Sequence, residues 1–424
     1  MRPSRVLALL LCGAPLLAAA PPPDRGEEAQ VRKKPSAEEL RAQVREILER
    51  VSKIRGLPIK RQVAVEIAGK DKILEYLEQQ MEAHGEGERM KKEGRLFARL
   101  GLVPDAEKYT ELVKDVLVAQ IAGYYDPERD TFIVADWIAP ELQGPVMSHE
   151  LTHALQDQNF SLDSYLEPIV GNSDKQLARS ALVEGDGMLT MMMDLAGEDM
   201  AKSTDMVALA QMSSTMGGDM GFPKGTPPAI VDFLIFPYAF GATFLQHALD
   251  GHDWKYADRA YKDLPDSTEQ ILQPEKYWDH RDEPQKVEVA PVARAMNLGQ
   301  ASYADVLGQY VFYVWLKQTL PVPEAVEASR GWDGDQYALY GEPGKETLVM
   351  FSEWDSLKDA GEAAEGIVKA LGGTDVESAF ASGNGPAWVH LKGTAVTFVL
   401  GPSGMAPEEL ALRVPRGEAP RAGK

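Results

Sequence analysis

Residues Val146–Gln158 read VMSHELTHALQDQ, and within them His149, Glu150 and His153 spell H-E-x-x-H. A helix turns about 100° per residue, so two histidines four apart lie on one face with their rings able to converge on a single ion. Glu150 sits beside them, where it reaches a water at that ion without ligating it, the position a general base needs. A catalytic zinc takes three protein ligands and leaves a fourth position to water, so a third donor must come from elsewhere. The extended pattern H-E-x-x-H-x-x-G-x-x-H fails, because its glycine and third histidine would fall on Gln156 and Asn159.

A carboxylate on a following helix is the other common solution. The stretch LARSALVEGDG, residues 177–187, offers Glu184 after Leu177, Ala178, Ala181 and Leu182 at helical spacing. Glu184 is therefore the expected third ligand, with Asp186 between Gly185 and Gly187 as the fallback. Asp157 lies four residues beyond His153 on the same face. A metal-bound histidine donates its free N–H to a carboxylate or carbonyl, so Asp157 either fills that role or pairs with Arg179 on the next helix. Asp157 and Asp186 are both expected to support the ligands from behind.

HELTHALQDQ followed by ALVEGDG resembles the gluzincin type of zinc metallopeptidase, the broad group that includes thermolysin. The likeness is to a set of uncharacterised exported bacterial proteins in particular, and extends more loosely to AGYYDP before the motif and STEQIL-x-PEKY after it, over roughly residues 101–277. The chain departs from that pattern in having Gln273 in place of a histidine and Gly187 in place of an alanine. The resemblance implies zinc binding and hydrolysis of a peptide or protein substrate. Such an enzyme also needs a donor for the developing oxyanion. Tyr238, His252 and Tyr277 are the candidates, and Tyr238 is preferred because Pro237 and Gly241 flank it.

Lys and Arg total 44 against 65 Asp and Glu, a formal charge of -21, so the surface repels phosphate backbones and nucleic acid is not an expected partner. Residues 1–24, MRPSRVLALLLCGAPLLAAAPPPD, have the basic start, apolar run and small-residue end of a secretory signal peptide, so export is expected. No later stretch reads as the roughly 20 apolar residues that a transmembrane helix needs, so stable membrane insertion after signal removal is not expected. Cys12 is the only cysteine. Leu11 stands before it where a lipoprotein signal wants a small residue, so lipid anchoring there is not expected.

The organisation follows from composition and periodicity. Residues 1–20 form the signal and 21–35 a proline-rich linker. Residues 36–100 make a helical N-terminal region in which Leu40, Val44, Ile47, Leu48 and Val51 share a face, with Ser36 as N-cap. Residues 121–135, IAGYYDPERDTFIVA, read as a hairpin. Residues 188–220 hold nine of the 16 methionines, expected mainly as core fillers. The expected fold class is α+β: a zincin-like domain over 101–285, a smaller α+β region over 286–402 and a loose tail over 403–424. The competing reading is a zinc-stabilised envelope binding or assembly protein that keeps the fold without turnover; an intact Glu150 speaks against it, since a scaffold has no chemical need for a base between its ligands.

Overall fold

The computed structural model describes residues 37–415, apart from 84–85, 128, 138–139, 163–164, 166–167 and 216–221. The expected signal peptide, the linker, Cys12 and the N-cap Ser36 lie outside the described residues. The fold is α+β, in two compact units that interleave along the chain. The first gathers residues up to 87, 111–168 and 179–265; the second gathers 88–110, 169–178 and 266 onward.

In the first unit, helix Ala37–Arg55 buries the predicted stripe of Leu40, Val44, Ile47, Leu48 and Val51. This face packs on helix Pro140–Phe160, the motif helix, which carries H-E-x-x-H. The hairpin forms as strands β2 (Gly123–Asp126) and β3 (Thr131–Ala135), antiparallel. A strand the sequence did not announce, β1 (Ala64–Ala68), adds to β3 in parallel and gives the order β1-β3-β2. The motif helix lies against β2. Helix Ser173–Ala196, the EGD helix, carries Glu184, and among the described methionines on it or soon after it Met188, Met191, Met193 and Met206 are buried core residues, while Met200 is exposed.

Helix Pro228–Ala248 crosses the EGD helix with backbones in contact. A Cβ added to Gly185 would stand 2.0 Å from the Gly241 carbonyl carbon, and one added to Gly241 would stand 1.9 Å from the Ala181 carbonyl oxygen. The crossing is therefore open only to glycine at both positions. Gly241, one of the two residues whose flanking of Tyr238 singled that tyrosine out in the sequence, serves this helix contact. This helix also departs from the sequence reading in being long and apolar enough, by length and composition, to cross a membrane; 56% of that stretch is buried inside the protein, as in a core helix.

Arg55 ends the N-terminal helix and is fully buried. Its Nε donates to Asp186 Oδ1 at 2.7 Å and its Nη2 to Asp258 Oδ1 at 2.6 Å. Tyr261 donates its hydroxyl to the other Asp186 oxygen at 2.7 Å, and the Trp254 ring lies 4.1 Å from the guanidinium carbon. A buried cation of this kind persists because carboxylates answer its charge, here through Nε and Nη2.

In the second unit, strands β4 (Ala301–Asp305), β5 (Trp332–Tyr340), β6 (Thr347–Trp354), β7 (Phe380–Ser382), β8 (Gly385–Lys392) and β9 (Ala395–Leu400) form one antiparallel sheet in the order β4-β5-β6-β9-β8-β7. Alternate residues face opposite layers. Val349, Val399 and Trp388 join a core closed by Val292 and Leu410. Trp354 and Phe398 instead meet Phe312 and Trp315 of helix Gly308–Leu316. Residues after Pro402 are not a loose tail throughout: helix Pro407–Arg413 forms there and its Leu410 is buried.

The Arg55 cluster predicts that Asp186→Ala lowers the unfolding free energy of the metal-free protein by about 3–5 kcal/mol, because it strands a buried guanidinium. Chemical denaturation checks this, and Arg55→Met combined with Asp186→Leu should recover a large part of the loss. A cost near that of an ordinary surface substitution would show that Arg55 finds its counter-charge elsewhere.

Candidate metal centre

The motif helix delivers both histidines as its period requires. Their ring centroids lie 4.6 Å apart with the planes perpendicular, and the two Nε2 atoms are 3.0 Å apart. The EGD helix brings Glu184 to the same point: its Oε2 stands 3.2 Å from His149 Nε2 and 3.4 Å from His153 Nε2. All three side chains are buried. The three donors expected from the sequence are thus gathered on one spot, and they form one of two described groups whose atoms are close enough to share a metal ion.

The donor set fits an ion of this type. Bonds of about 2.0–2.2 Å to a tetrahedral zinc put neighbouring donors about 3.4 Å apart, close to the observed triangle. Two imidazoles and one carboxylate are also the nitrogen and oxygen donors such an ion takes. The other group fits less well. Glu269, Asp282 and Asp355, in the second unit, already surround the Lys276 ammonium, whose Nζ lies 2.6, 2.9 and 2.6 Å from them. Lys276 supplies the positive charge that a metal would bring.

Glu150 stands apart from the donor triangle. Its Oε2 accepts the backbone N–H of Tyr125 on β2 at 3.0 Å, so the strand edge holds the carboxylate beside the two histidines. Burial raises the Glu150 pKa to about 8, against the pull of His153. Burial works against a charged His153, yet the Glu184 carboxylate outweighs it and pushes this ring up. Glu184 is held low because the two rings together outweigh its own burial. For His149 burial dominates and lowers the pKa.

Two expectations are corrected by the geometry. Asp157 neither meets a ligand histidine nor pairs with Arg179. It accepts from Arg61 Nη2 at 3.1 Å and from the Tyr125 hydroxyl at 3.4 Å, and so fastens the motif helix to β2 and to the segment before β1. Asp186 is no alternative ligand, since Arg55 and Tyr261 occupy it. The partner of His153 is Gln156, whose Oε1 lies 2.8 Å from Nδ1. Its position three residues on from His153 was the available signal, passed over in favour of a carboxylate.

Gly187 has a direct steric reason. A Cβ there would lie 2.8 Å from His149 Cε1, so the absence of a side chain makes room for the ring. Tyr238 is buried with its ring 5.8 Å from that of His149. The other two oxyanion candidates are placed differently: His252 stacks on Tyr256, and Tyr277 belongs to the second unit, where it meets Trp278 and Arg281. Gln273 donates there to Gln309 Oε1 at 3.1 Å.

Comparison with known proteins adds one finding. A family described as a domain of unknown function, DUF8575, matches residues 293–411, which contain all six strands of the sheet of the second unit. No curated protein and no solved structure matches the chain.

Proposed function

We propose that this chain is an exported zinc-dependent metallopeptidase with a gluzincin-type, zincin-like centre, acting on a peptide or protein substrate. The observation that carries the reading is the separation of roles around one point. His149, His153 and Glu184 converge within 3.0–3.4 Å of one another, while Glu150, next to His149 in sequence, is held aside by Tyr125. His149, His153 and Glu184 would hold the zinc ion, which would supply Lewis acidity toward a water and a carbonyl oxygen.

The chain's own residues do the rest. Glu150 accepts the proton of the attacking water and delivers it to the leaving amine. Its bond to the Tyr125 N–H fixes one oxygen and so aims the other. Tyr238, whose ring neighbours that of His149, is the residue assigned in this reading to donate to the developing oxyanion. No covalent intermediate is required.

A second reading is favoured by burial. His153 is 0% exposed, His149 1% and Glu184 3%, the closure expected of a structural metal site, whereas a catalytic one keeps a position open. In that reading the chain is a zinc-stabilised binding or assembly protein, and Glu150 is only a buried acid tied to a strand.

The purified protein is expected to bind about one zinc per chain, and His149→Ala, His153→Ala or Glu184→Ala to lose most of it. Elemental analysis after reconstitution and desalting measures this. A metal-free wild type would remove the basis of both readings.

Glu150→Gln separates the two. Glutamine keeps an oxygen for the Tyr125 N–H, so zinc content and thermal unfolding should match the wild type. It cannot take a proton, so hydrolysis of any peptide the wild type cleaves should fall by roughly 10²–10⁴. An equally active variant refutes the role of Glu150. A wild type inert toward a broad peptide library supports the structural reading.

A further inference from the structure

The hydrogen bonds around His153 settle what each ring nitrogen does. Gln156, fully buried on the motif helix, has its amide Nε2 3.0 Å from the backbone carbonyl of Val183 and its Oε1 2.8 Å from His153 Nδ1. A carbonyl oxygen only accepts, so the end of the amide facing Val183 must be the NH₂. The end facing His153 is then the amide oxygen, which also only accepts. His153 Nδ1 must therefore carry a hydrogen. In the neutral ring this leaves the Nε2 lone pair directed at His149 and Glu184, the point where the donors converge.

We infer that Gln156 is the positioning residue of this centre: it fixes the proton on Nδ1 of His153 and locks that ring to the helix that carries Glu184. Val183 immediately precedes Glu184, so one amide ties a ligand from one helix to the backbone beside a ligand from the other. The arrangement is asymmetric. His149 Nδ1 faces the backbone of Gly187 without a hydrogen bond of standard geometry, and among the described residues no side chain performs for it what Gln156 performs for His153. An unfixed imidazole divides its time between two tautomers and several ring angles, and only one combination presents a lone pair to an ion. Fixing that combination before binding raises affinity by removing the cost of finding it.

The positioning role rests on the metal reading above, whereas the hydrogen-bond assignment does not. Isotope-edited spectra of the histidine rings in the metal-free protein should show a proton on Nδ1 of His153, slow to exchange with solvent, at every pH at which the fold persists. A wild-type Nδ1 without that proton overturns the inference. Gln156→Met keeps the length of the side chain and loses both hydrogen bonds. It should weaken zinc binding in a chelator competition by about 10 to 100-fold, with faster exchange of the Nδ1 proton. Gln156→Glu keeps the acceptor for Nδ1 and loses only the donor to Val183, so it should recover part of the affinity. A folded Gln156→Met that binds zinc as tightly as the wild type overturns the role. If Gln156→Met does not fold, the wild-type ring spectrum and the affinity of Gln156→Glu decide. A wild type that shows the Nδ1 proton but binds no zinc overturns the metal reading alone, so the two failures are told apart.

Discussion

Four consecutive residues on one helix, Glu184 to Gly187, meet three different neighbours, and the candidate centre depends on all of these contacts at once. At about 100° per residue, positions 184 and 187 share a face while 185 and 186 point to two others. Glu184 and Gly187 both look at His149, one as a hydrogen-bonding carboxylate and the other as the space its ring fills. Gly185 meets the backbone of the helix that brings Tyr238 beside that ring. Asp186 meets Arg55 at the end of the N-terminal helix. The EGD helix therefore has almost no freedom to rotate or slide. A small rotation that improved one contact would break the other two.

The charges of this region are kept in separate accounts. Glu184 has its partners in the two histidine rings, and Asp186, two residues away, has its own in Arg55. Were Asp186 unpaired, it would be a second buried carboxylate competing for the same ion. With one oxygen held by Arg55 and the other by Tyr261, Asp186 has no need of a metal. The same division holds at the motif helix, where Asp157 is engaged by Arg61 and Tyr125 and leaves His153 to a neutral amide. A neutral acceptor fixes the ring without adding a further negative charge to a pocket that already holds Glu150 and Glu184.

The donors were legible in the sequence because local periodicity alone sets them: two histidines one helical turn apart, and an acid on the next apolar-striped helix. The hairpin was legible for the same reason, through its alternation and its Asp-Pro turn. What escaped were contacts settled by distant chain segments. Asp157 and Gln156 both lie within a helical turn of His153, and nothing local says that Arg61 claims one and Val183 orients the other. Strand β1 is a short edge strand that pairs in parallel with β3, far along the chain, so no turn signal announces it. The interleaving of the two units is of the same kind. An apolar stripe says that a face is buried, not which segment buries it. Leu410 and Val414 show this, since a short helix after a glycine- and proline-rich stretch still closes the core beneath the sheet.

The strand edge bears on how the centre is to be understood. A structural ion needs only donors, and an acid buried beside them without joining them is a liability, since its ionisation there is costly and no bond to the ion offsets it. Here that carboxylate exists and is restrained by a specific donor, the Tyr125 N–H on the outer edge of β2. Tyr125 is itself doubly fixed, its backbone paired along β3 and its single hydroxyl hydrogen shared between Asp130 at 3.0 Å and Asp157 at 3.4 Å. The sheet thus sets the position of Glu150, while the helix crossing sets the position of the ligands. Two independent parts of the fold set where Glu150 stands relative to the donor triangle, a relation that the proposed proton transfer requires and that holding a metal alone does not.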